Sequence, residues 1–170
     1  MIIHGVFAVL LALFSLTIGR VTQTKESAPM KIRNVFALIV TDKLFECRDF
    51  YVKHFGFTAA FQTTIYIQLS VPSAQGSAFD LALMPPNNPF GEGYREKFNN
   101  KGMFLTIEVA DAATAYEKLK AEGAPIIANL KNEDWGQRHF LTKDPGGMII
   151  DVVESIEPAA GYYDKYQIKQ

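Results

Sequence analysis

The sequence predicts an α+β fold that is built from two βαβββ modules. A strand, a helix and three further strands are predicted within residues 33–84, and the same order recurs within residues 103–153. A repeat at about half the length of a domain indicates a fold with twofold pseudosymmetry. The segment between the repeats, residues 85–102, is rich in Pro, Gly and Asn and is typical of a linker. With 170 residues, 48% of them hydrophobic, the chain suffices for one domain with a core.

The first repeat begins with a nearly continuous apolar run, residues 33–41, which predicts a buried strand. We expect Asp42 to cap the helix that follows at residues 44–55, where apolar side chains recur at three- and four-residue spacing. Gly56 is in the usual position to end that helix. Three more strands are predicted at residues 58–63, 65–71 and 78–84.

The second repeat follows the same plan. A strand is predicted at residues 103–109, and a helix at residues 111–122 begins at Asp111 and ends before Gly123. The remaining strands are predicted at residues 125–130, 137–142 and 148–153. The sequence Asp144-Pro145-Gly146-Gly147 predicts a tight turn between the last two strands.

The first thirty residues are not predicted to belong to the fold. Residues 6–18 are apolar but too short to cross a bilayer easily, and their length is typical of the core of a signal peptide. Three interpretations stay open: an exported or membrane-tethered chain, translation that starts at Met30 and gives a cytoplasmic protein, and a structural N-terminal helix. We therefore divide the chain into residues 1–30, a folded domain at 31–157 and a C-terminal tail at 158–170.

Composition excludes several classes of function. The formal net charge is −1, so the chain has no basic excess for binding nucleic acid. Its single cysteine, Cys47, cannot form an internal disulfide. Neither a Gly-rich phosphate loop nor a Gly-x-Ser-x-Gly turn occurs in the sequence.

A set of short motifs in both repeats resembles the vicinal oxygen chelate superfamily of glyoxalases, bleomycin resistance proteins and dioxygenases. The motifs are Leu38-Ile39-Val40-Thr41-Asp42, Phe50-Tyr51 and Phe55-Gly56-Phe57 in the first repeat, and Glu108-Val109-Ala110-Asp111, Ala115-Tyr116, Leu119, Gly123, Trp135-Gly136-Gln137-Arg138 and Asp144-Pro145-Gly146-Gly147 in the second. Each motif is weak alone, but their order and spacing are specific. The last two are most similar to the bleomycin-resistance and glyoxalase-like branch.

The resemblance implies an incurved, eight-stranded mixed sheet with helices on its convex side. Its concave side would form a cup for a small ligand. The modules would then be residues 31–99 and 100–157. Pairing of modules between two chains is common in this superfamily, so the resemblance also implies a homodimer.

The metal-dependent relatives hold a divalent metal with four ligands, from the first and last strand of each module. Carried over to this sequence, the first-strand positions are Val35 and Phe104, and the last-strand positions are Asp80 and Asp151. Hydrocarbon side chains cannot bind a metal, and two carboxylates alone suit a transition metal poorly. We therefore predict no metal and no cofactor. The face of its strand that His139 occupies stays open.

Successive side chains of a strand point to opposite sides of the sheet. We assign the apolar set in each strand to the side that faces the helices, and the remaining side chains then form the predicted lining of the cup. It consists of Val35, Ala37, Ile39, Tyr66, Gln68, Asp80, Phe104, Thr106, Glu108 and Asp151, with Trp135 at the rim. This lining suits a small organic molecule, including one that carries a positive charge.

Three functions are compatible with these features. The first is a metal-free small-molecule binding protein. The second is a metal-dependent lyase, isomerase or dioxygenase that uses Asp80, Asp151 and His139. The third is an inert dimerisation module whose cup is filled by large side chains such as Phe104.

Overall fold

The computed structural model describes residues 30–74 and 76–166. The predicted signal-like segment, except Met30, and the last four residues of the predicted tail lie outside this range. All of the secondary structure described here belongs to the unit formed by residues 34–170. In this described part of the chain, no helix is long and apolar enough to cross a membrane.

The first module contains one helix and one four-stranded sheet. Its elements are β1 (Ala37–Val40), α1 (Leu44–Phe55), β2 (Thr58–Gln62), β3 (Ile67–Pro72) and β4 (Ala78–Met84). The strand order in the sheet is β1-β4-β3-β2. The β1 strand pairs with β4 in parallel, and the other neighbours are antiparallel.

The second module repeats this arrangement. Its elements are β5 (Phe104–Glu108), α2 (Ala112–Ala121), β6 (Ile126–Glu133), β7 (Gln137–Lys143) and β8 (Ile149–Ser155). The strand order is β5-β8-β7-β6, and β5 pairs with β8 in parallel. Short 3₁₀ helices lie at Glu92–Tyr94 and Asp164–Tyr166.

The prediction of an α+β fold with two βαβββ modules is confirmed. Among the described residues, however, the eight strands are hydrogen-bonded as two four-stranded sheets, and not as one sheet of eight. The incurved shape of the sheets stays a prediction.

One face of each sheet packs against the helices, and a single hydrophobic core joins both modules. Alternation along the strands produces this face, because successive side chains point to opposite sides. In the first module Ile67, Leu69, Leu81 and Leu83 are buried on this side. In the second module Phe140, Ile150 and Val152 are buried there, and the partly buried Leu105 packs against the core. We call the other side of each sheet its open face.

The β1 strand faces opposite to the prediction. Ile39, which is 4% exposed, belongs to the core, and Ala37 packs against the core from the same side of the strand. The prediction that Ala37 and Ile39 line the cup is therefore wrong, and Leu38 and Val40 lie on the open face instead. Val35 precedes β1 and is 79% exposed, so it is not part of the strand at all.

The two helices begin differently. Asp111 caps α2 as predicted, because its side chain accepts hydrogen bonds from the backbone N–H groups of Ala113 and Thr114. Asp42 does not cap α1. The N-cap position there is Lys43, which makes no side-chain cap hydrogen bond, while Asp42 pairs with Lys97 at 2.8 Å. Three residues separate the first strand from the helix in both modules, so Lys43, and not Asp42, is the counterpart of Asp111.

Candidate ligand-binding site

The N-cap residues of the two helices show which positions of the two modules correspond. Lys43 and Asp111 are the equivalent N-caps, so Phe36 is the counterpart of Phe104, and Leu38 is the counterpart of Thr106. Both members of each pair lie on the side of the strand away from the core. The assignment of Val35 as the counterpart of Phe104 was one residue out of register.

Strand pairing extends this correspondence to the last strand of each module. Leu38 is paired with Ala82 in β4, and Thr106 is paired with Asp151 in β8. The counterpart of Asp151 is therefore Ala82. Asp80 lies two residues before Ala82 in β4, on the same face of the strand. The four positions at which the resemblance implies metal ligands hold Phe36, Ala82, Phe104 and Asp151.

These four residues do not fit a metal centre, because only Asp151 carries a donor atom. A transition-metal site needs three or four N, O or S ligands from the protein. Within residues 30–74 and 76–166, no group of three or more His, Cys, Asp and Glu side chains has a geometry that could hold a metal ion.

Asp80 lies on the open face of the first module among neutral donors. Its Oδ2 accepts hydrogen bonds from Asn34 Nδ2 at 2.7 Å and from Gln68 Nε2 at 3.3 Å. A hydrogen bond from Ser70, followed by that from Asn34, lowers the pKa of the Asp80 carboxyl. Asp80 is thus a carboxylate that neutral side chains hold in place, and no described residue forms an ion pair with it.

On the open face of the second module, His139 bridges two carboxylates. Its Nδ1 lies 2.8 Å from Asp151 Oδ1, and its Nε2 lies 3.2 Å from Glu133 Oε1. The Trp135 ring packs edge-on against the imidazole, with 5.9 Å between the ring centroids. Trp135 Nε1 donates a hydrogen bond to Gln137 Oε1. The strand face of His139, which the sequence left open, is therefore the face that carries Asp151.

Glu133 is held from two sides. An ion pair with Lys131 is the main reason that the pKa of the Glu133 carboxyl is lowered, and the hydrogen bond with His139 acts in the same direction. Glu108, at the end of β5, accepts a hydrogen bond from Ser155 at 2.7 Å. The open face of the second module is consequently rich in ordered carboxylates.

The open face of the first module has an open cavity of about 440 Å³. Its lining consists of Phe36, Leu38, Tyr66, Met84, Phe90 and Tyr94. Burial, and to a smaller extent the nearby Asp80, raises the pKa of Tyr66, so its phenol stays neutral at physiological pH. The cavity is therefore aromatic and uncharged on its walls.

The segment between the modules forms one wall of this cavity. Asn88, 2% exposed, donates from Nδ2 to the carbonyls of Pro85 and Tyr94 at 2.8 and 2.7 Å. Its Oδ1 accepts from the Phe90 N–H at 2.9 Å. One buried amide thereby fixes the turn that presents Phe90 and Tyr94 over β4.

The structure groups the predicted site residues by module. Tyr66, Gln68 and Asp80 lie together in the first module. Phe104, Thr106, Glu108 and Asp151 share the open face of the second, and Trp135 lies beside them against His139. The hydrogen bonds and ring contacts described above each stay within one module, and the joining of the two groups into one cup stays a prediction.

Sequence reasoning missed Phe36, Leu38, Met84, Phe90 and Tyr94. Phe36 and Leu38 belong to a run without polar side chains, and Met84 ends β4 after three other apolar residues, so alternation gave no signal. The two aromatic residues stand in a segment that composition identified only as a linker. A usable signal was present there: two aromatic side chains within a turn-rich segment are unusual for a solvated linker.

Comparison with known proteins agrees with this architecture. A solved glyoxalase/bleomycin resistance protein/dioxygenase from Nocardioides is similar with a TM-score of 0.61 and 19% identity, over 76% of this chain and 87% of that one. A superfamily member from Sphaerobacter thermophilus gives a TM-score of 0.57 and 24% identity, over 73% and 98%. At these identities the likeness shows the fold. No curated protein matches the sequence.

The sequence itself matches a family model over residues 33–152, which includes both modules. The chain belongs to the Glyoxalase/Bleomycin resistance protein/Dioxygenase superfamily.

Proposed function

We propose that this protein binds a small organic molecule on its open faces without a metal. The observation that carries the proposal is the aromatic cavity of about 440 Å³ on the first module. Its volume is in the range of small-molecule sites, roughly 300–1,000 Å³. A cavity of this size also argues against an inert face that is packed shut by its own side chains.

The chemistry of the two faces favours a planar aromatic ligand with a positive charge. Phe36, Tyr66 and Tyr94 offer ring faces and edges for stacking, and cations are attracted to such rings. Asp80 lies beside Tyr66 and keeps its charge. Glu108, Glu133 and Asp151 add negative charge on the second module.

We also propose that the protein acts as a homodimer. Phe61 and Phe104, on β2 and β5, are 56% and 55% exposed, and Phe36 is 42% exposed. Apolar surfaces of this kind favour association with a partner. A dimer would bring the open face of one chain against the other, which would enclose the cavity. Sedimentation equilibrium tests this, and a monomer at micromolar concentration would overturn it.

Ligand binding is tested with proflavine, a planar aromatic cation, as the probe, and with thermal-shift screening of neutral and anionic analogues. We expect saturable proflavine binding that Phe36→Ala weakens roughly tenfold, since a stacked ring contributes about 1–1.5 kcal/mol. Phe45→Ala is the matched control, because Phe45 is 40% exposed on α1 and contacts Arg48 there. Equal affinities of the two variants for proflavine would overturn the proposed site.

A further inference from the structure

A second cavity, of about 470 Å³, lies at the seam between the modules. Three segments surround it: Asp42 and Lys43 before α1, Lys97 and Asn100 at the end of the intermodule segment, and the β7–β8 turn from Lys143 to Gly147. No residue lines both this seam cavity and the aromatic cavity of the open face. The superfamily's ligand positions also lie elsewhere, at Phe36, Ala82, Phe104 and Asp151.

The seam cavity has an excess of positive charge. Lys97 is neutralised by Asp42 at 2.8 Å. Among the described residues neither Lys43 nor Lys143 forms an ion pair, although the charge of Lys43 contributes to lowering the pKa of Asp42. The three lysines and two aspartates of the lining leave one net positive charge.

The remaining acid of the lining is directed into the protein. Asp144 is 2% exposed, and its Oδ2 accepts a hydrogen bond from the Tyr51 hydroxyl at 3.1 Å. Its Oδ1 accepts from the Met148 N–H at 2.9 Å. Its charge is thus stabilised by internal donors, and the two unpaired lysines remain available to a ligand.

The start of α1 adds a further electropositive group beside the cavity. Lys43 is its N-cap and supplies no side-chain acceptor for the free N–H groups of the first turn. These groups and the helix dipole favour an anion at this end. Asp42, the residue that could have capped the helix, is engaged with Lys97 instead.

The walls of the cavity are partly apolar, because Phe50, Pro125 and Pro145 face it. We infer that the seam cavity binds a small organic anion, a carboxylate or a phosphate monoester, whose charged group lies between Lys43 and Lys143. The apolar part of the ligand lies against Phe50 and Pro125. This site is independent of the proposed binding of a cation on the open face.

Calorimetric titration of the full chain with phenyl phosphate, and separately with benzoate, tests the inference. We expect at least one of these anions to bind, and Lys43→Gln and Lys143→Gln each to weaken it roughly tenfold, as expected for a lost hydrogen bond to a charged group. The charge-matched control is Lys120→Gln, since Lys120 lies over the Tyr116 ring on α2 and should not affect binding. Which probe binds identifies the charged group of the ligand.

A gain in affinity provides a test that a folding defect cannot imitate. Asp42→Asn removes a negative charge and releases Lys97, so it should tighten binding several-fold, and added NaCl should weaken binding. The inference is overturned if neither anion binds, if neutral phenol binds as tightly as phenyl phosphate, or if the double lysine variant binds like the unmodified protein. If the double variant does not fold, the remaining test is the affinity of the unmodified protein and of Asp42→Asn for the anion. The inference is then overturned if this affinity changes neither with the substitution nor with added salt. Proflavine affinity reports separately on the open face.

Discussion

The Nδ1 atom of His139 lies 2.8 Å from Oδ1 of Asp151, on the open face of the second module. The other ring nitrogen contacts Glu133 at 3.2 Å, so both nitrogens are already engaged by carboxylates. Asp151 is the one potential donor among the four positions that correspond to metal ligands. The pair has a positioning role, because it holds the imidazole against which Trp135 packs.

Asp151→Ala should release His139 and, through it, Trp135. We expect the fluorescence maximum of Trp135, the only tryptophan of the chain, to move to longer wavelength as its ring becomes more exposed. The free energy of unfolding should fall by about 1 kcal/mol, as for one lost hydrogen bond. Asp80→Ala is the control, because the partners of Asp80 all lie in the first module. The positioning role is wrong if both variants give the same emission spectrum.

Asn88→Ala should loosen the segment that forms one wall of the aromatic cavity. The substitution removes three hydrogen bonds of a buried side chain, so we expect a loss of about 2–3 kcal/mol in the free energy of unfolding and weaker proflavine binding. Asn87 is exposed and adjacent, which makes Asn87→Ala a close control. Urea denaturation of both variants measures the difference. A stable Asn88→Ala variant with unchanged affinity would show that Asn88 does not organise the cavity.

Stability should fall at alkaline pH. Burial, with Asp144 as the second cause, raises the pKa of Cys47 to about 12 from its ordinary value of 9.0 and raises the pKa of Tyr51 well above its ordinary 10.0. Both groups hold their protons more tightly in the folded chain, so unfolding releases protons at high pH. The stabilisation is complete below pH 9 and should decline above it by about 1.4 kcal/mol per pH unit for Cys47, with Tyr51 adding to the slope above pH 10.

Denaturant unfolding between pH 8 and pH 11 measures this decline, and Cys47→Ala isolates one contribution to it. The variant should lose stability less steeply from pH 9 to pH 10 than the unmodified protein. Equal slopes would mean that Cys47 is not protected from ionisation in the folded chain.

Gly146→Ala should be strongly destabilising because the β7–β8 turn lies against the first module. An added Cβ at Gly146 would be 2.7 Å from Thr41 Oγ1 and 3.1 Å from Cys47 Sγ. Overpacking of this kind costs about 1–3 kcal/mol. Gly93 has no atom within 4 Å of its added Cβ, and Gly93→Ala should leave the midpoint of thermal unfolding nearly unchanged. A neutral Gly146→Ala would indicate that the two modules are not in close contact at this turn.

Much of the fold could be predicted from the sequence because the spacing of apolar residues is regular in its helices and in several of its strands. The predicted bounds of α1 agree with the structure at both ends, and β4 agrees as well. In β5, Phe104, Thr106 and Glu108 alternate with Leu105 and Ile107, which belong to the core side. Alternation of this kind indicates which face is buried, and Leu105 and Ile107 do pack against the core.

The first module was harder because β1 is apolar on both faces. The run from Val35 to Val40 contains no polar side chain, and the predicted positions depended on treating the two expected helix caps, Asp42 and Asp111, as counterparts. That match was one residue out because Lys43, and not Asp42, is the N-cap of α1 and the counterpart of Asp111. A shift of one residue exchanges the two faces of a strand, and it replaced Phe36 and Leu38 by Val35 and Ala37 in the predicted site.

The most direct test of the central claim is the affinity of the full chain for proflavine before and after treatment with EDTA, measured by fluorescence titration at fixed ionic strength. Binding to the aromatic cavity without a metal predicts equal affinities in the two preparations, and no recovery or gain when Zn²⁺, Mn²⁺ or Ni²⁺ is added back. A loss of binding after EDTA that one of these metals restores would contradict the account, and it would make Asp151 and His139 the first residues to re-examine as ligands.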